Sequence, residues 1–278
     1  MGINSVNTNA QALVALQGLN ATGRDLATTT TRIATGREVN SAKDDGATYA
    51  IAKRQTADAN ALNAVKDSLA RGRGAVDVAL AAGEQVVDLL TKMKALALTG
   101  TEESIPRSSR QSLMDDYWTM HLQIMRTFEG ADFDGINLLT GSQTVSFLAS
   151  GDGAQTVDID GLGAKFTPYT PTDPYYMRGH TLDEVEYAQY CLSDVSHTLK
   201  SMTAALAKLG TQGEALDGQT ALVGKLQDQS EIGVGNLIDA DLSKESAKLT
   251  ALQTKQSLGV QALSIATNSA NWLRSLFG

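Results

Sequence analysis

The chain has 278 residues, of which 42% are hydrophobic and only 5% aromatic, and its formal net charge is −8. Few aromatics and only four prolines favour long helices and argue against a β-sandwich or an enzyme barrel. Because an acidic chain gains nothing from counterion release at a phosphate backbone, the charge argues against nucleic-acid binding.

Targeting and cysteine patterns narrow the class further. No apolar run approaches about 18 residues, so we expect no membrane span. The N-terminus lacks a basic segment followed by a continuous apolar one, so we expect no cleaved signal peptide. Cys191 is the only cysteine, which excludes an intramolecular disulfide. We interpret it as an inert, partly buried thiol.

The N-terminal arm predicts a short helix to about Ile33, a break at TGREVNSAKDDG, and a long helix. Ser41 and Asp44 form a plausible capping box for that long helix. Gly72 and Gly83 lie on its apolar seam and each costs about 1 kcal/mol against alanine, which predicts close approach of a neighbouring backbone. The seam alternates in steps of three and four, as in a coiled coil, at 62, 65, 69, 72, 76, 79, 83, 86, 90, 93 and 97.

The central part of the chain predicts a third helix, a hairpin and a loop. The helix runs from about Pro106 to Phe128. The segment TVSFLASGDGAQTVDI contains two β-prone runs around a turn, a hairpin signal, and PYTPTDPYY predicts a rigid surface loop. Tyr117, Trp118 and Phe128 are more typical of core than of a sugar-binding platform. One face of the helix carries Leu113, Tyr117, Met120, Ile124 and Phe128.

The C-terminal arm mirrors the N-terminal one. Thr181 and Glu184 offer a second capping box, and a second seam runs from Leu192 to Gln227. Two seams of equal length can bury each other as an antiparallel pair, which brings both chain ends together. We therefore predict a mainly α fold, a long antiparallel coiled-coil-like helical bundle with a small β-hairpin region.

Both chain ends are apolar and nearly free of charge. No side chain between Gly2 and Gly23 is ionisable, and after Gln256 only Arg274 is. Ordering a residue costs about 1–2 kcal/mol, and a buried apolar side chain returns about 1.5–3 kcal/mol, so an isolated end does not order itself. Because buried ions need partners, absence of charge suits a subunit interface. The predicted interface residues, on helices that order in the polymer, are Ile3, Val6, Leu13, Leu16, Leu249, Leu252, Val260, Leu263, Leu273 and Phe277.

The chain ends allow one alternative interpretation. On periodicity alone, the predicted interface residues are equally compatible with the core of a closed helical bundle.

Motifs for metal and nucleotide binding are incomplete in this sequence. The three histidines have no metal-binding spacing, and DFDG and DIDG are only fragments of a calcium loop. GRG and GK lack the context of a nucleotide site. We therefore predict no catalytic, cofactor or metal site and no enzymatic activity.

Several motifs together resemble bacterial flagellins, specifically the short alphaproteobacterial type. INSVNTNAQALVALQGLN resembles the family's N-terminal segment, and SAKDDGATYAIAKRQTADANALNAVKDSLARG the start of its long core helix. FDGINLLTG resembles the F-N-G-x-x-L-x-G turn, with Asp134 where asparagine is usual. NLIDADLSKESAKLTALQTKQSLGVQALSIATNSANWLRSLF resembles the C-terminal helices. The resemblance covers about residues 1–140 and 181–278.

The resemblance implies a structural subunit that polymerises into the extracellular flagellar filament used for motility, exported without a cleaved signal peptide. It implies a terminal assembly region at 1–40 and 235–278, a helical core domain at 41–140 and 181–234, and a small variable surface region at 141–180. The implied partners are copies of itself, the flagellar export apparatus and chaperone, hook-associated and cap proteins, and other flagellins.

Two other functions are compatible with this scaffold. A hook–filament junction protein shares the terminal segments but caps a filament and does not propagate it. A surface adhesin or sugar-binding protein would use the Tyr-Pro-rich loop. Self-polymerisation of the purified protein distinguishes the first alternative, and glycan binding by the monomer the second.

Overall fold

The structure is a computed structural model, described here for residues 9–163 and 184–277, with side chains of the last helix described up to residue 268. Within these residues it contains five helices and one hairpin. They are α1 (Ala10–Thr35), α2 (Gly46–Gly100), α3 (Arg107–Gly130), β1 (Thr144–Leu148), β2 (Thr156–Asp160), α4 (Val185–Ile238) and α5 (Leu242–Phe277). This confirms the mainly α prediction with a small antiparallel hairpin.

The chain forms two compact units. One comprises the two ends of the chain, up to Ala57 and from Gln229 onward, and the other comprises Asp58–Asp228. The terminal unit contains α1, α5 and the adjoining parts of α2 and α4. The central unit contains the rest of those two long helices, α3 and the hairpin.

In the central unit, α2 and α4 run antiparallel and bury the two predicted seams against each other. Lys66 Nζ donates to Gln227 Oε1, and Arg73 Nη1 lies 3.0 Å from Asp217 Oδ2. Further along α2 the contacts move back along α4, so that Gly100 approaches Ala188. Every predicted α2 seam position from Val65 to Ala97 is buried. The seam prediction is confirmed for α2.

The seam of α4 is confirmed less uniformly. Its buried positions are Val195, Met202, Leu209, Gly213, Leu216 and Val223, whereas Thr220 is exposed. Leu192, Leu199 and Leu206 are half-buried and pack against the same core. The α4 seam therefore has a wide apolar face in its first half and a narrower one near the end of the unit.

The seam glycines of α2 admit side chains, not a neighbouring backbone as predicted. A Cβ on Gly72 would lie 2.9 Å from the ring of Phe147, and one on Gly83 would overlap Leu206 and Met202. Gly74 leaves room in the same way for the ring of Phe133, 2.7 Å from a hypothetical Cβ. The two glycines of the GRG motif thus each leave space for an aromatic ring.

The third helix, α3, packs against the core of the central unit and carries an arginine that caps the C-terminal end of α2. The predicted apolar face is confirmed: Tyr117, Ile124 and Phe128 are buried, in keeping with a core position for these aromatics. Arg110, which the sequence did not single out, is also buried. Its guanidinium donates to the carbonyl oxygens of Gly100 at 2.8 Å and Glu102 at 2.9 Å, so it satisfies acceptors that the end of α2 leaves free.

The hairpin confirms the two predicted strands and lies against both long helices. Val145 pairs with Ile159 and Phe147 with Val157. Leu148 donates its N–H to Ser68 Oγ of α2 at 3.0 Å, and Gln219 Nε2 of α4 donates to the Ala149 carbonyl at 2.8 Å. The PYTPTDPYY loop lies outside the described residues.

The FDGINLL segment forms a tight turn before the hairpin. Phe133 and Ile136 exchange two backbone hydrogen bonds of 3.0 and 2.9 Å. Asp134 and Gly135 between them have φ of +53° and +78°, the left-handed pair of a type I′ turn. Aspartate tolerates this conformation better than most residues, which explains how it replaces the asparagine usual in the resembling family.

The capping prediction for α2 was wrong by four residues, because the predicted box placed the cap at Ser41. Ser41 and Asp44 do bond to each other, with Ser41 N 2.9 Å from Asp44 Oδ2, but they form a turn before the helix. Asp45 is the cap: its Oδ1 accepts from the N–H groups of Ala47 at 3.0 Å and Thr48 at 3.1 Å. The Thr48 hydroxyl also donates to Asp45 Oδ2 at 2.7 Å. This bond has the largest effect, and together with the two N–H bonds it holds the pKa of Asp45 below its usual 3.8. Thr181, of the second predicted box, lies outside the described residues.

Candidate assembly surface

The first terminal helix, α1, is started and ended by specific residues. Asn9 caps it: its side-chain oxygen accepts from Ala12 N at 3.0 Å, and its Nδ2 donates to the Ala266 carbonyl of α5 at 2.8 Å. The helix ends at Gly36, which has φ of +69°, a conformation that favours glycine. One short asparagine therefore both caps α1 and ties it to α5.

The second terminal helix, α5, runs antiparallel to α1. Asp241 caps it, since its Oδ1 accepts from Ser243 N at 3.0 Å and Lys244 N at 3.1 Å. Farther along the pair, Leu19 lies 3.4 Å from the position that a Cβ of Gly259 would take.

At the base of this pair, the segment that follows α1 and the segment that precedes α5 are hydrogen-bonded to each other through their backbones. Glu38 N donates to the Ile238 carbonyl at 2.7 Å, and Ala240 N donates to the Gly36 carbonyl at 2.9 Å. Arg37 and Asp239 form an isolated antiparallel bridge. The break that follows α1 and the break that precedes α5 thus hold the two helices side by side.

Small residues form much of the seam between α1 and α5. The buried or half-buried positions on each helix recur in steps of three and four, as in a coiled coil, and small side chains let the two axes approach closely. On α1 they include Ala12, Ala15, Leu19, Thr22, Leu26 and Thr29, and on α5 they are Glu245, Leu249, Leu252, Gln256, Gly259, Leu263 and Ala266.

Other large apolar side chains of the two helices lie outside this seam. Val14 and Ile265 are each 68% exposed, and together with four alanines and Gln11 they line an open apolar groove along the pair. Other large apolar side chains on the same two helices are exposed as well: Leu13, Leu16, Leu258 and Val260. Exposed large apolar side chains concentrated on one pair of helices are typical of an interaction surface.

The predicted interface residues fall into three groups. Leu13, Leu16 and Val260 are exposed, Leu249 and Leu263 are half-buried in the seam, and Leu252 is buried there with 8% exposure. Ile3 and Val6 lie outside the described residues. Leu273 and Phe277 lie on the last turns of α5, beyond the described side chains.

Three exposed apolar residues were missed by the sequence analysis: Val14, Leu258 and Ile265. The prediction placed Val260 with Leu252 and Leu263, whereas the seam passes through Gly259 and Ala266. Including these two small residues in the stripe would have assigned Val260 to an exposed face.

A second cluster of polar groups, in the central unit, is part of the core. Tyr117, Trp118, His121, Cys191 and Asp194 surround a small cavity, together with Tyr187 and Tyr190. Burial raises the pKa of Tyr117 far above its usual value, and burial also lowers the pKa of His121. Cys191 is fully buried and reduced, more enclosed than the partly buried thiol predicted.

Membrane and metal features are absent from the part of the chain that the structure describes. None of the described helices combines the length and the hydropathy that a membrane span requires. They also contain no group of three or more metal-binding side chains close enough to hold an ion.

Family models match both helical regions. The model described as the bacterial flagellin N-terminal helical region matches residues 6–144, and the one described as the C-terminal helical region matches residues 192–277.

Curated relatives match along the whole length. The chain is 45% identical to flagellin FljK of Caulobacter vibrioides, covering 100% of both chains. It is 34% identical to a flagellin of Brucella melitensis, covering 98% of this chain and 99% of the relative.

Among solved structures, the fold is similar to that of a protein described as a flagellar hook-associated protein from Vibrio parahaemolyticus. The TM-score is 0.56 and the identity is 14%, and the match covers 70% of this chain and 100% of the other. At this identity the similarity concerns the fold alone.

Proposed function

The chain belongs to the bacterial flagellins, a structural family, and is a subunit of the flagellar filament; we propose that it polymerises through the outer faces of α1 and α5. The observation that carries this proposal is the row of large apolar side chains that the helix pair leaves exposed. Val14 and Ile265 each keep 68% of their surface open. Copies of the same pair would cover them.

The absence of charge supports a protein partner made of the same surface. No ionisable side chain lies between Gly2 and Gly23 or between Gln256 and Leu273. Such faces attract neither phosphate nor charged side chains, and they can be buried without the desolvation cost of ions. Because the alanine-lined groove and the exposed leucines lie on the same two helices, one copy offers both small and large side chains to the next.

The energetics favour ordering of the pair in the polymer. Each ordered residue costs about 1–2 kcal/mol in backbone entropy, while much of the α1–α5 seam consists of alanine, threonine and glycine, which bury little apolar area. Covering the outer leucines and valines adds about 1.5–3 kcal/mol for each fully buried side chain. We therefore expect the pair to be marginal in a dilute monomer and stable in the filament.

We further propose export of the chain without a cleaved signal peptide, and no catalytic role. The export apparatus, its chaperone, the hook-associated and cap proteins and other flagellins are the partners expected for such a subunit. The burial of Tyr117 and Phe128 leaves no exposed aromatic platform at these two positions. The Tyr-Pro-rich loop that the sugar-binding alternative would use lies outside the described residues.

The proposal is tested by concentrating purified protein and examining it by negative-stain microscopy and pelleting. Filaments are expected, and hydrogen exchange should show residues 10–35 and 242–277 unprotected in dilute monomer but protected in filaments. The segments Leu62–Ala97 and Leu192–Val223 should be protected in both. Equal protection of the terminal helices in monomer and filament would contradict ordering on assembly, and failure to polymerise would contradict the proposed function.

A further inference from the structure

A buried ion pair crosses the seam of the terminal helix pair. Arg32 Nη1 of α1 lies 3.2 Å from Glu245 Oε1 of α5, and the two side chains are 22% and 8% exposed. The neighbouring Thr29 is completely buried. Glu38 also lies 3.6 Å from Arg32 Nη1, but its side chain is 59% exposed. In a pair of helices whose far ends are free of charge, Glu245 is buried and Arg32 is largely buried.

This arrangement is poorly suited to stabilising the pair. Arg32 Nε, Glu245 Oε2 and Thr29 Oγ1 are buried and have no hydrogen-bond partner among the described residues. A buried ion pair repays its desolvation only when its remaining donors and acceptors are satisfied, and apolar residues of similar volume often serve stability equally well or better. Stability alone therefore gives no reason for charges at these positions.

Specificity does give a reason, because subunits of a polymer meet identical helices at high local concentration. The rest of the seam is dominated by alanine, threonine, leucine and glycine, and such residues discriminate weakly between one partner helix and another. The backbone bonds at the base of the pair do not depend on side-chain identity. A single buried polar or charged position is known to set partner and register in coiled coils.

We propose that Arg32 and Glu245 are specificity-determining residues that select antiparallel pairing of α1 with α5 in a single register; the inference rests on the proposed polymerisation through these helices. Two α5 helices paired with each other would bury Glu245 without a cation. Two α1 helices would leave each Arg32 with only the exposed Glu38 of its own chain. A slip by one heptad moves the two charges about 10 Å apart along the axis, which leaves Glu245 without a cation and Arg32 with Glu38 alone.

The first test compares two carboxylates that both face Arg32. Glu245→Gln removes the buried one and should raise the critical concentration for polymerisation about 100-fold, because it leaves the guanidinium largely buried without its partner. Glu38→Gln is the matched control, since it removes the exposed carboxylate, and it should change the critical concentration less than about twofold. Equal effects of the two substitutions would overturn the proposal.

The second test exchanges the charges. In the Glu38→Gln background, which removes like-charge repulsion, Arg32→Glu with Glu245→Arg should restore the critical concentration to within about fivefold of wild type. Each of the two substitutions alone should abolish filaments. If the exchanged pair assembles no better than the single variants, the opposite charges do not act as a selecting pair.

The third test separates specificity from stability. Arg32→Leu with Glu245→Leu should leave thermal unfolding of the protein unchanged or slightly raised. Sedimentation velocity should nevertheless show soluble oligomers that do not elongate, because an apolar seam accepts any partner helix. Wild-type critical concentration and no such oligomers in this variant would overturn the inference while leaving the proposed function intact. Failure of the wild-type protein itself to form filaments would instead contradict the proposed function.

Discussion

Replacing Val260 by aspartate should block polymerisation and leave the monomer folded. The Val260 side chain on α5 is 53% exposed, so about half of its surface remains for a neighbouring subunit to cover. Complete burial of a valine is worth about 1.5 kcal/mol, and loss of that half costs about 0.8 kcal/mol. This loss alone corresponds to a roughly fourfold higher critical concentration.

The charge of the aspartate adds a much larger penalty to assembly. No ionisable side chain lies between Gln256 and Leu273, so a carboxylate at position 260 has no cation on its own stretch of helix. Burying it unpaired against a neighbour costs several kcal/mol, and about 4 kcal/mol corresponds to a further factor of roughly 1000. In the monomer the group stays solvated, and aspartate and valine have similar helix propensities.

The assay measures pelleted filament against total protein, together with circular dichroism and thermal unfolding of the monomer. Val260→Asn is the matched control, because it has the shape of aspartate without the charge and should raise the critical concentration only about tenfold. Filaments of Val260→Asp at the wild-type concentration would refute burial of this face between subunits. Leu263 is less suitable for this test, because it is half-buried in the α1–α5 seam, where a carboxylate would also disturb the pair.

Three further predictions concern the central unit and the α2 cap. Cys191→Ala removes a buried thiol beside Tyr117 and should cost about 1 kcal/mol in the free energy of unfolding, with filaments unaffected; a large loss of filaments would contradict a structural role. Gly83→Ala should lower the melting temperature, because the Cβ of the alanine would overlap Leu206 and Met202. Gly210→Ala should raise it through helix propensity, because a Cβ there meets no described atom within 4 Å. The reverse order of melting temperatures would contradict this packing. Hydrogen bonds lower the pKa of Asp45 from 3.8, so the stabilisation that they give is present at neutral pH and is lost as the pH falls below that value. The melting temperatures of wild type and Asp45→Asn should therefore converge in acid. A difference that stays constant with pH would contradict this.

The long-helix architecture was predictable from the sequence because its signals are local. The seam of α2 repeats in steps of three and four over many turns, and all its predicted positions from Val65 to Ala97 are buried. The hairpin was equally predictable, since two β-prone runs flank a Ser-Gly-Asp-Gly turn. In both cases the periodicity of the chain itself selects the structure.

Features that depend on a distant partner were not predictable in the same way. The function of Gly72 and Gly74 is clear only when Phe147 and Phe133 lie against them, and Arg110 becomes a helix cap only because α3 returns to the end of α2. Ser41 and Asp45 are both good capping residues, and the fold selects the one at which the backbone turns into the helix.

The chain ends show the division most clearly. Composition and periodicity, which are properties of each segment alone, were enough to predict that both ends are apolar, helical and nearly free of charge. Which face of each terminal helix meets the other depends on contacts between segments that are distant in sequence. Backbone bonds at Gly36 and Ile238 align the helices so that small residues and the Arg32–Glu245 pair turn inward. Apolar side chains at other positions of the same helices, such as Val14, Val260 and Ile265, consequently stay exposed, because their positions on the helix turn them away from the seam.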